Sequence, residues 1–192
     1  LAKTDSIEQI IAFLQANNIN PDLLINNAGI GLYGGFEKTD GAKELKILQT
    51  NIIALTLLTK AMLKRMSEKD VGTILNVSST IAFRKSPNWS VYAASKAFVL
   101  SFTHSLAIEF RKTPIKFALL CPGRTDTEFD KNAEAPMRRN NKGDNPDIVA
   151  VYTIKKLQKG KTLIIPGIKN KIKYIIFKYL PDFITDLVVK SL

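Results

Sequence analysis

Residues 18–29, NINPDLLINNAG, hold a chain reversal, a strand and a loop within twelve positions. Pro21 and Asp22 are turn residues, Leu23 to Asn26 make an apolar run of strand length, and Ala28 and Gly29 open a loop directly after it. Upstream, SIEQIIAFLQA at 6–16 carries apolar residues at helical spacing, so the segment reads as helix, turn, buried strand and glycine loop. The same alternation recurs downstream. A helix is predicted from about Ala42 to Met66, a strand over GTILNVSS at 72–79, and a helix from about Ser90 to Arg111. A strand over IKFALLCP at 115–122, a helix near 146–158 and a strand over TLII at 162–165 follow. Helices alternating with short apolar strands predict an α/β fold, a doubly wound parallel sheet covered on its faces. In such a sheet ligands bind beyond the carboxyl ends of the strands, which is where Asn26–Gly29, Ser78, Ser79 and 122–127 fall.

Composition narrows the function classes. At 192 residues and 45% hydrophobic content the chain can bury a core, and its length predicts one domain. A formal charge of +11 suits any polyanionic partner, but no recognition motif or aromatic-basic platform points to nucleic acid, which is excluded as a partner. The lone Cys121 rules out an internal disulfide and a cysteine-based zinc site, and no metal site is expected. Neither a secretory leader pattern nor a run near the roughly 20 apolar residues of a membrane span is read. A cytoplasmic chain is expected.

NWSVYAASKAFVLSF at 88–102 places Tyr92 and Lys96 four apart, on one face of the predicted helix. An ammonium there can lower the pKa of a phenol. The spacing alone proves little, because the chain holds three such pairs, the others being Tyr152/Lys156 and Tyr174/Lys178. A hydroxyl separates them. Reduction of a carbonyl by hydride needs a proton donor and a second hydrogen-bond donor on the same oxygen. Ser79, at a strand end, lies 13 residues before Tyr92, whereas the same offset from the other two tyrosines reaches Arg139 and Lys161. Ser78 is expected to be satisfied by backbone, His104 to be a surface residue and Cys121 to be core packing.

With these residues in place, the chain resembles the short-chain dehydrogenase/reductase family. The resemblance rests on NNAG at 26–29, Asn51 in the following helix, VSS at 77–79, YAASK at 92–96 and CPGRTDTEF at 121–129, and on the spacings of 28, 13 and four residues that link Asn51, Ser79, Tyr92 and Lys96. It implies a Rossmann-type fold and an NAD(P)-dependent oxidoreductase. In that reading Tyr92 is the acid and base, Lys96 lowers its pKa and holds the nicotinamide ribose, and Ser79 polarises the substrate oxygen. Asn51 helps to hold a water that links Lys96 to solvent. The resemblance further implies that Asn27, Ala28 and Gly29 line the cofactor, with Pro122, Gly123, Thr125 and Thr127 beside the nicotinamide and pyrophosphate. NADP is the expected cofactor, with NAD as the alternative. An apolar small-molecule carbonyl or alcohol is the expected substrate, and a homodimer or homotetramer the expected assembly. FVLSF and CPGRTDTEF are similar to a bacterial subgroup of mostly uncharacterised reductases, although Arg124 stands where that subgroup often has proline.

The family's TGxxxGxG turn does not occur in this sequence, and LAKTDSIEQI resembles the segment just after the family's third strand. The expected fold is therefore N-terminally incomplete, strands four to seven of the family sheet, with about 60 residues of two βα units and a strand lying before Leu1. The strand at 23–26 would then expose an apolar edge. A fragment of a complete reductase is the expectation; the alternative is a shortened, non-catalytic chain acting as a scaffold. The domain is placed at 1–168. From 169 to 192 a basic amphipathic helical tail is predicted, with Pro181 interrupting it; its apolar stripe is expected to pack against its own domain or a sister subunit, with contact with an anionic membrane as the alternative.

Overall fold

The computed structural model describes residues 5–136, 143–179 and 184. Four strands, β1 (Leu23–Asn26), β2 (Gly72–Val77), β3 (Ile115–Leu120) and β4 (Leu163–Ile164), form one sheet in the order β1-β2-β3-β4. Every pairing is parallel. Asn26 lies beside Asn76, Val77 beside Leu120, and Leu120 beside Ile164, so the carboxyl ends finish along one rim.

Helices fill the connections. α1 (Asp5–Ala16) precedes β1. A long helix then runs as α2 (Gly41–Leu48), a wider π-helical stretch over Gln49–Ala54, and α3 (Leu55–Glu68). Asp40 starts it by accepting a hydrogen bond from the Ala42 amide at 2.8 Å. α4 (Ser90–Glu109) separates β2 from β3, and α5 (Phe129–Asn132) is a single turn in the polar stretch after β3. α6 (Pro146–Gln158) begins at Asn145, whose side chain accepts from the amides of Asp147 and Ile148, with Pro146 in the first turn where its missing N–H costs nothing. α7 (Ile168–Tyr179) follows β4.

The period of two along each strand divides the core. Ile74, Phe117 and Leu119 point to the face covered by α3 and α4, where they meet Met62, Met66 and Val99. Leu75, Val77, Ala118, Leu120 and Ile164 form the opposite core with Tyr152 and Leu157 of α6. α4 is long and apolar enough to span a bilayer, but it packs on β3 and buries Val99 and Thr103. Along β1, an edge of the described sheet, Leu23 and Ile25 are 40% and 44% exposed.

The predicted elements recur with shifted ends. β2 and β3 stop two residues earlier than expected, because the segments after Val77 and Leu120 leave the regular ladder to build the rim. The turn at α5 was not predicted. Within the expected tail the described helix spans 168–179, and 180–183 and 185–192, including Pro181, lie outside the described residues, as do 137–142 of the polar stretch.

A polar chain crosses the first core face. Asn26 donates to Thr59 of α3 at 2.9 Å and to the Asn76 side-chain oxygen at 2.8 Å, and Asn76 in turn donates to Thr103 of α4 at 2.9 Å. All four side chains are buried. Asn76→Leu should leave one N–H of the Asn26 amide without its acceptor and the Thr103 oxygen without its donor, while the bonds to Thr59 and the Val99 carbonyl persist, and cost about 1 to 2 kcal/mol. A urea-unfolding midpoint equal to that of the parent protein would show that the chain is dispensable.

Candidate active site

Three successive residues leaving β2 fasten α4. Asn76 holds Thr103, the Val77 carbonyl accepts from the Lys96 ammonium at 2.9 Å, and the Ser78 hydroxyl donates to the Lys96 carbonyl at 2.7 Å. This fixes the height of the helix against the strand. Tyr92, one turn before Lys96, then reaches the neighbourhood of Ser79, whose side chain acts on the phenol and works to lower its pKa. Ser79 itself adopts an extended backbone and caps the 3-10 turn Thr80–Phe83, its hydroxyl accepting from the Ile81 amide at 3.2 Å.

Asn51 occupies the π-helical stretch of the long helix, a local widening often found at functional sites. Its side chain clamps the loop after β1. The oxygen accepts from the Ile30 amide at 3.0 Å, and the nitrogen donates to the Ile30 carbonyl at 2.9 Å and to Ser95 at 3.0 Å. Ser95 donates back to the Tyr92 carbonyl at 2.7 Å. A Cβ on Gly29 would lie 3.0 Å from the Lys96 ammonium and 3.5 Å from the Asn51 oxygen. Gly29, Asn51, Lys96, Tyr92 and Ser79 are thus brought together, with Asn27 and Ala28 exposed on the same loop.

Electrostatics depart from the expectation for Tyr92. The phenol is 8% exposed and its pKa is pushed up to about 12, chiefly by burial, against the lowering effect of Ser79 and with a further rise from Asp130. The Lys96 ammonium stands 5.8 Å from the Tyr92 ring centroid and points at a carbonyl, so it does not offset that burial. Lys96 is itself lowered to about 8 by burial. Both groups are driven toward their neutral forms by the same loss of water.

The remaining expected residues divide. Thr125 is half-buried and donates to the Gly123 carbonyl at 3.3 Å, while Thr127 is exposed just ahead of α5 and accepts from the Phe129 amide at 3.3 Å. A Cβ on Gly123 would meet the Asn170 side chain of α7 at 2.5 Å, so that glycine admits a neighbouring helix. Pro122 is half-buried at the rim, its carbonyl accepting from the Thr80 amide at 3.0 Å. His104 is half-buried and not a plain surface residue; burial first, and Lys178 second, lower its pKa. Cys121 is fully buried, and burial raises its thiol to about 12.

The sequence reading missed an aromatic wall. Trp89 lies 5.4 Å from Tyr92 and 5.5 Å from Tyr33 between ring centroids, and Phe129 lies 5.2 Å from Tyr92. They close over Gly31, where a Cβ would approach the Phe129 ring to 2.8 Å and the Trp89 ring to 3.1 Å. The available signal was an aromatic residue on each of three rim segments, at 33, 89 and 129.

The short chain dehydrogenase family model matches residues 1–138, and the chain belongs to that family. An uncharacterized oxidoreductase of Thermotoga maritima is 37% identical over 107 residues, 56% of this chain and 43% of that protein. Among solved structures, a short-chain dehydrogenase from Sphingobium yanoikuyae in complex with NADPH shares the fold at a TM-score of 0.81 and 22% identity, over 94% of this chain and 73% of the other. A 4-hydroxyisoleucine dehydrogenase complexed with NADH is 26% identical at a TM-score of 0.72, over 86% and 75%. The chain spans about half the length of the curated relatives it matches.

Burial of Lys96 carries a testable cost. Because its folded pKa, about 8, lies below the ordinary 10.5, the unfolded chain binds the extra proton between those values, and stability rises with pH across that window. Tyr92, held near 12 against an ordinary 10.0, acts in the opposite sense, and its contribution is lost as pH climbs from about 10 to 12. Lys96→Met, without added cofactor, is expected to raise the thermal midpoint at pH 7, by up to about 3 kcal/mol in stability, and to flatten the rise above pH 8. A lower midpoint with the pH slope intact would rule out burial as the cause.

Proposed function

We propose that this chain carries the proton-transfer site of an NAD(P)-dependent oxidoreductase that interconverts a carbonyl and a secondary alcohol. The observation that carries the reading is the approach of the Ser79 side chain to the Tyr92 phenol, close enough to lower its pKa, beside a buried Lys96 at the carboxyl rim of a parallel sheet. A phenol with a pKa near 12 keeps its proton at neutral pH and can give it to a developing alkoxide. Ser79 is the second donor to the same oxygen. Oxidation runs the transfer backwards and needs the phenol deprotonated. Lys96, a cation below about pH 8, would favour that form only if its ammonium left the Val77 carbonyl and turned to the phenol oxygen.

Gly29 lets the loop after β1 approach the Lys96 ammonium, since a Cβ there would stand 3.0 Å from it. Asn27, Ala28, Gly29, Tyr92 and Lys96 would hold the nicotinamide end, with Pro122, Gly123, Thr125 and Thr127 across the rim. A nicotinamide cofactor bound there would supply or accept the hydride. Asn51 acts in this reading as a positioning residue, since its amide is engaged by Ile30 and Ser95. NADP is the preferred form over NAD. The wall of Tyr33, Trp89 and Phe129 favours an apolar carbonyl substrate. A cytoplasmic homodimer or homotetramer completes the proposal.

Tyr92→Phe in the intact protein should reduce turnover by about a hundredfold or more while leaving cofactor affinity nearly unchanged. Unaltered turnover would remove Tyr92 as proton donor. Absence of cofactor affinity in both proteins would favour a scaffold.

A further inference from the structure

We propose that the outer face of α7 is a docking surface for an anionic lipid bilayer. The inner face of α7 is fixed. Tyr174 packs on Phe83 with ring centroids 4.6 Å apart, and Asn170 donates to the Pro166 carbonyl at 2.8 Å. Helical spacing of about 100° per residue then collects Ile168, Ile172, Ile175, Ile176 and Tyr179 into an arc about 100° wide on the side away from Tyr174. All five are exposed, Ile168 by 70% and Tyr179 by 74%.

Charge selects the occupant. Lys171 and Lys178 border the arc on one side and Lys169 and Lys173 on the other, and α7 contains no acidic residue. Between α6 and α7 lies a cleft of about 320 Å³ that Lys156, Lys161 and Lys171 share with Tyr152 above an apolar floor. The Tyr152 ring has the Lys156 and Lys171 ammoniums 5.3 and 5.7 Å from its centroid. An apolar stripe with cations on both borders matches a helix lying in the plane of a lipid interface, its isoleucines at the acyl boundary and its lysines among anionic headgroups. A second copy docked stripe to stripe would bring two identical lysine borders together, a like-charge contact that an anionic surface avoids.

The test is co-sedimentation of the intact protein with phosphatidylcholine vesicles, with and without phosphatidylglycerol, at about 0.15 M salt. Binding to the anionic vesicles alone is expected, weakened in high salt and insensitive to millimolar inorganic phosphate. Ile172→Glu with Ile176→Glu should reduce the bound fraction about tenfold or more. Lys169→Gln with Lys173→Gln, at exposed positions, should reduce it severalfold with circular dichroism unchanged, and this pair serves if the first does not fold. Several results would overturn the proposal: no sedimentation of the parent protein, equal binding to neutral vesicles, competition by phosphate alone, or unchanged binding in the variants. So would a dimer in sedimentation velocity that these substitutions dissociate in a protein that ignores vesicles.

Discussion

One strand end determines where the reactive helix lies. Asn76, Val77 and Ser78 follow one another as β2 leaves the sheet, and each holds α4 at a different point. Sliding the helix by one residue, about 1.5 Å, would break all three contacts. The Tyr92 phenol meets Ser79 because it stands one turn above Lys96 on a helix that cannot slide. The parallel register then brings the loops after β1 and β3 to the same rim, and Asn51 ties the first of them to α4 through Ser95. Precision at the site is thus borrowed from hydrogen bonds in the sheet interior.

Burial is the second constraint, and it acts on the two titratable groups with opposite sign. The phenol rises and the ammonium falls. Water excluded by Trp89 and Phe129 makes the tyrosine a holder of its proton. The same exclusion leaves Lys96 a cation only below about pH 8. The chemistry of the pair therefore depends on what enters beside it, since any group that restores polarity near Lys96 changes the balance between donor and base.

Much of this was legible in the sequence where a local signal existed. LLIN at 23–26 showed the strand because four apolar-to-polar positions end in a glycine loop, and the helix expected near 146–158 is α6, which the structure starts at Asn145 and Pro146. Ser79 and Tyr92 emerged from their separation, and the structure joins them. The rest depends on partners distant along the chain. Asn26 and Asn76 look like isolated polar residues in apolar strands, and only the register shows that they answer each other across 50 positions. The wider turn at 49–54 has no residue signature; its Asn51 clamp on Ile30 needs the fold to be seen. The direction of the Tyr92 shift was misread because spacing reveals the neighbouring ammonium and says nothing of the aromatic cover.

Cys121 gives the molecule a reporter of its own opening. It is the single thiol of the chain, it follows β3 immediately, and it is fully buried in the core that includes Val99, between the residues that anchor α4. A thiol with a pKa near 12 is almost entirely protonated, so alkylating reagents find neither access nor thiolate while the core is closed. The rate at which it labels becomes a clock for separation of α4 from the sheet, readable by mass without any introduced probe. Comparing that clock at several reagent concentrations would separate frequent shallow opening from rare complete unfolding.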